Sequence, residues 1–140
     1  MLVHFPIVFW TVAAAAYVAS AAGITESIDG IAKFANSAGL IMAILAMIAG
    51  FIELRTIDSR SEAMRVATWH MTIMATAWVC FLVALMFSIS TILDHWLVNL
   101  AVGTCAVVGF LLMAVGGWFG GRLVYEFGVG LIGVRDGKRS

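Results

Sequence analysis

Four long apolar runs, at about 3–22, 35–54, 66–89 and 97–119, alternate with short polar links. A helix that crosses the hydrocarbon core needs roughly 20 mostly apolar residues, so each run predicts one spanning helix. The links carry the polar residues: Glu26 to Lys33 after the first run, Arg55 to Arg65 after the second, and Asp94 with His95 before the fourth. Links this short make consecutive helices antiparallel neighbours. The only proline, Pro6, stands near the start of the first run, where its missing N–H is harmless. The pattern predicts an all-α fold: one integral membrane domain over residues 1–140, an antiparallel four-helix bundle with a Gly-rich polar tail at 120–140.

Composition narrows the class further. With 63% hydrophobic residues, 11% charged residues and a mean hydropathy of +1.06, the chain is not a water-soluble domain but a multi-pass protein of the lipid bilayer. A net charge of zero gives no basic face for nucleic acid. Cys80 and Cys105 lie mid-run without CxxC spacing and read as small apolar residues. No Lys or Arg precedes the first run, so it reads as a retained helix rather than a cleaved leader. Arg55, Arg60, Arg65, Arg122, Arg135, Lys138 and Arg139 fall on one side of the membrane and Lys33 alone on the other. The positive-inside tendency makes the Arg-rich side cytoplasmic, with both termini on it.

Small residues mark where helices approach closely in lipid. Gly39 with Ala43, Ala46 with Gly50, and the overlapping pairs Gly116/Gly120 and Gly117/Gly121 all have one-turn spacing, so the second and fourth helices are expected to pack through them.

His70 is the one ionisable residue well inside a run, and an intramembrane histidine is a candidate functional group. Threading the chain back and forth brings His4, Glu53, His70 and Gly120–Gly130 to the cytoplasmic end. Two histidines on different helices at similar depth are the arrangement that holds a haem iron by two axial imidazoles. Ala63, Ala67, Met74 and Ala77, one or two turns from His70, are small or flexible and would leave room for a flat macrocycle. Arg55, Arg65 and Arg122 could pair with its propionates. The plainer alternative is that His70 donates to a carbonyl of a neighbouring helix and serves packing.

Other chemistry has less support. Thioether ligands suit Cu(I), but the eight methionines fill apolar gaps and form no Met-x-Met delivery run. Trp69, Trp96 and Trp118 read as interfacial belt residues, with Trp10 and Trp78 deeper. Glu53 could orient a histidine by accepting from its ring, but is expected rather in a boundary ion pair with Arg55 or Arg65. There is no GxSxG, HExxH or phosphate loop.

Val3-His4-Phe5-Pro6-Ile7, Gly50 with a nearby acid, His70, and Gly120-Gly121-Arg122-Leu123-Val124-Tyr125 leading to Gly128-Val129-Gly130 together resemble a family of predicted bacterial membrane proteins, the domain of unknown function 2231. The resemblance implies a four-helix protein of the bacterial cytoplasmic (inner) membrane. Because some members are joined to Rieske iron–sulphur domains, it also implies electron transfer. The family pattern often has a His-Pro pair ahead of the first helix and a His just before Gly-Val-Gly. This chain has neither, and Phe127 occupies the second place.

The leading expectation is a b-type haem protein for electron transfer with a quinone or redox protein partner. His4 and His70 would bind the metal, and Arg55, Arg65, Arg122 and Tyr125 would complete the cofactor-binding set. The alternative is a cofactor-free, non-catalytic membrane subunit that packs against or anchors a larger complex, or forms a homo-oligomer.

Overall fold

The computed structural model describes residues 4–24, 28–90 and 95–130. Those residues form four helices and no strand: α1 (His4–Ala21), α2 (Ile28–Leu54), α3 (Glu62–Ser88) and α4 (His95–Tyr125). Each is long and apolar enough to cross a membrane. Their lengths of 18, 27, 27 and 31 residues correspond to about 27 to 46 Å at 1.5 Å per residue. The all-α bundle expected from the apolar runs is therefore what the chain forms. Glu26, Asp94, Arg135, Lys138 and Arg139, and the tail beyond 130, lie outside the described residues.

Two helices outrun the apolar runs that signal them. α2 begins at Ile28 instead of near 35, because Asp29 and Lys33 lie one turn apart and form an ion pair (2.6 Å) along the helix surface. α4 continues through Gly120 and Gly121 to Tyr125, with Arg122 bonded to Glu126 one turn on. The stretch expected to open a glycine-rich tail is thus helical. α4 ends where Gly128 takes φ +66 and its N–H donates to the Val124 carbonyl, a left-handed cap open to glycine at little cost. α1 stops in the same way. Gly23 (φ +71) donates to Ser20 O and Ile24 to Ala19 O, closing a Schellman motif. At the start of α3 the Ser61 hydroxyl accepts from Met64 N, an N-cap.

The bundle is two hairpins. α1 packs extensively on α2, and α3 on α4, while the α1–α4 and α2–α3 interfaces are smaller. Within each hairpin, glycines act as notches for large side chains of the partner helix. A Cβ added at Gly39 would lie 2.6 Å from Trp10 Cδ1, one at Gly109 would lie 3.0 Å from Phe81, and one at Gly116 would lie 2.6 Å from Met74 Sδ. Gly39 with Ala43 and Gly116 with Gly120 thus face packed neighbours, as their spacing predicts. Gly50 does not. Nothing lies within 4 Å of its added Cβ, and Gly50 is exposed while Ala46 is half-buried.

Polar contacts join the hairpins where packing is thinner. The Trp78 indole donates to Leu40 O (3.2 Å), and the fully buried Asn36 amide donates to Phe81 O (2.9 Å), both from one hairpin to the other. Trp10 stacks on Phe81 across the bundle with ring centroids 4.6 Å apart. Helices in lipid have no hydrophobic drive toward one another, so shape fit and interhelical hydrogen bonds of this kind hold them together.

Candidate functional site

His70 lies about 12 Å along α3 from Glu62, counted at 1.5 Å per residue, and its ring sits in the α3–α4 interface. A Cβ added at Gly120 would come within 3.1 Å of its Cε1. Its Nδ1 is 2.7 Å from the Gly116 carbonyl oxygen. A carbonyl only accepts, so Nδ1 carries a proton, and in the neutral ring it is Nε2 that keeps the lone pair. Met74, one turn further, fills the notch at Gly116. His70 and Met74 on α3 thus mesh with Gly120 and Gly116 on antiparallel α4. Ala67 and Ala77, on the side expected to leave space for a macrocycle, are buried. The bundle itself occupies that space.

His4 opens α1 with an exposed side chain that makes no hydrogen bond among the described residues. Ala21 of α1 meets Gly103 of α4. Counting back along the two antiparallel helices from that contact places His4 level with Gly120, and hence at a depth comparable with His70. Depth is shared, but the setting is not: α1 lies diagonal to α3, and His70 is turned onto α4. Arg55 is exposed above the Phe51 ring (5.6 Å to its centroid), Arg65 is exposed, and Tyr125 is 91% exposed. Arg122 is engaged with Glu126, whose carboxyl the hydrogen bond from Arg122 holds below the usual carboxylate range. No hydrogen bond or ion pair joins Arg55, Arg65, Arg122 and Tyr125 to one another among the described residues. Glu53 is exposed and takes no part in the two ion pairs found among the described residues, so the expected pairing with Arg55 or Arg65 is not formed. No group of three or more His, Cys, Asp or Glu among the described residues could hold a metal ion.

At the opposite end is a polar network that the apolar runs conceal. Asn36, fully buried in α2, also donates to the Tyr17 hydroxyl (3.4 Å); Tyr17 donates to Ser88 Oγ (3.3 Å), and Ser88 to Leu85 O (2.8 Å). Asn36 Oδ1 and Trp10 Nε1 are buried without partners. Attention to ionisable groups passed over Asn36. Its signal was an amide inside an apolar run, on the same helical face as Ala32, Gly39, Leu40 and Ala43. Tyr17 and Ser88 also line a cavity of about 420 Å³ at this end.

Four apolar helices packed through glycine notches and interhelical hydrogen bonds define a multi-pass helical membrane protein. Residues 1–133 match the model of a family described as a predicted membrane protein, DUF2231, and the chain belongs to that family. No curated protein and no solved structure matches it.

Proposed function

We propose that this chain is a non-catalytic subunit of a membrane assembly, docking through the outward face of α4, most simply against α4 of a second copy. One observation carries the reading: of the two interleaved glycine pairs, Gly116/Gly120 is filled by α3, whereas nothing lies within 4 Å of a Cβ added at Gly117 or Gly121. A glycine inside a helix costs about 1 kcal/mol relative to alanine, and facing lipid it gains no contact in return. Phe110, Ala114, Gly117, Gly121 and Val124 recur at alternating four- and three-residue spacing along that face. This is the seam along which a second helix packs, with its smallest residues at the middle. A seam on one helix of one chain is self-complementary about a two-fold axis. The assembly would lie in a bacterial cytoplasmic membrane with the Arg-rich end inward. Fluorescence energy transfer between labelled chains in bilayers tests it: Gly117→Ile with Gly121→Ile abolishes transfer while the helical signal is kept.

A second reading is a b-type haem held by His4 and His70, exchanging electrons with a quinone or redox protein. The Gly116 carbonyl fixes Nδ1 as the protonated nitrogen and leaves Nε2 free, which is the tautomer of a metal-ligating imidazole. Against it, Met74 and His70 fill the α4 notches and His4 is exposed without a partner, so the ligand set fits at His70 and not at His4. Bound iron would supply one-electron exchange. A Soret band that disappears in His70→Ala would establish it, and a colourless, iron-free preparation excludes it.

A further inference from the structure

The end of the bundle away from the arginines carries a second feature. Its cavity of about 420 Å³ is walled by Tyr17, Ser20, Asp29, Lys33, Ser88 and Asn99, with Val98 and Val102 of α4 as its apolar side. That volume falls in the range of small-ligand sites, roughly 300–1,000 Å³. Asn99 belongs also to the wall of a second, open cavity of about 350 Å³, an apolar groove between α1 and α4 formed by Val18, Ala21, Leu100, Gly103 and Val107. A polar chamber at the membrane boundary and an apolar groove along the bundle therefore meet at one residue, beside the smaller α1–α4 interface.

The polar groups of the chamber specify a head. Asp29 and Lys33 present one carboxylate and one ammonium, paired only with each other among the described residues and each roughly two-fifths exposed. An ion pair so exposed is worth about 0–1 kcal/mol, so exchanging it for two ion pairs to a zwitterion costs little. An anionic head alone would be drawn to Lys33 and repelled by Asp29 at the same spot. Among the described residues the Ser20 hydroxyl and the Asn99 amide of this wall make no hydrogen bond, and both can serve a ligand.

We propose that this site holds one zwitterionic phospholipid. Its ammonium and phosphate lie against Asp29 and Lys33, Ser20 and Asn99 bond the head oxygens, and one acyl chain runs down the α1–α4 groove.

The test uses the full chain, purified in detergent and delipidated, with phosphatidylethanolamine or phosphatidylglycerol added at equal concentration and adducts counted by native mass spectrometry. One phosphatidylethanolamine per chain is retained about tenfold better than phosphatidylglycerol. Asp29→Asn with Lys33→Gln removes that preference, and the swap Asp29→Lys with Lys33→Asp restores it. Gly103→Leu, which fills the groove, weakens retention of both lipids. Asn99→Leu repeats the test from the chamber wall should Gly103→Leu fail to fold. Equal retention of the two lipids by the unmodified chain, or a preference that survives removal of both charges, overturns the proposal.

Discussion

The two faces of α4 carry the same motif with opposite outcomes. On the inward face Gly116 and Gly120 are notches that receive Met74 and His70. On the outward face Gly117 and Gly121, one residue further on, receive nothing. A step of one residue turns a helix by about 100°, so overlapping GxxxG pairs necessarily look in different directions. A glycine pair in a membrane helix marks a place for a neighbour, and whether that neighbour lies within the chain depends on the facing helix. His70 belongs to the inward answer: its size matches the notch and its Nδ1–H matches the carbonyl one turn away.

The comparison breaks most easily by filling one face at a time. Gly116→Leu drives a side chain into Met74, and overpacking of this kind costs about 3 kcal/mol. Gly117→Leu, facing outward, meets nothing and should not destabilise the isolated chain, gaining up to about 1 kcal/mol from helix propensity. Unfolding in mixed detergent micelles measures both, and equal losses would mean that the two faces are equally packed. Asn36→Ala leaves Phe81 O without its donor at the hairpin junction and should cost about 1 kcal/mol in the same assay. His70→Ala deletes the bond to Gly116 O, and double-mutant values for such interhelical bonds average about 0.6 kcal/mol. His70→Asn, able to donate again, should recover part of that loss if the role is packing.

The smallest effect is at the end of α4. The hydrogen bond from Arg122 lowers the Glu126 carboxyl pKa below its unfolded value. Its contribution is therefore present above about pH 4.3 and is lost as pH falls through the lowered folded value. In Arg122→Gln the Glu126 side-chain carbon resonance should titrate at higher pH than in the unmodified chain. An unchanged midpoint would show that the pair does not persist in solution.

How much of this the residues announced depends on the kind of signal. The four spans were legible because apolar runs of this length have few other uses. The helix ends were not, since Asp29 and Lys33 look like a link until their one-turn spacing is seen as a pair, and Gly120 looks like a breaker until His70 is seen to need its space. His70 stands out in the sequence as the histidine inside an apolar run, and its depth relative to His4 follows from threading. Its direction did not follow, because rotation about the helix axis is set by packing against α4 and leaves little trace in such a weakly amphipathic sequence. Asn36 was missed because an uncharged amide barely lowers local hydropathy, although buried it must find partners on other helices.

The most direct measurement of the central claim is the association state of the chain in lipid bilayers, read by stepwise photobleaching of singly labelled protein at fixed protein-to-lipid ratio. The account predicts two-step traces for the unmodified chain and for Gly50→Ile, and single-step traces for Gly117→Ile with Gly121→Ile. Single-step traces for the unmodified chain, or two-step traces that survive both substitutions, would contradict it.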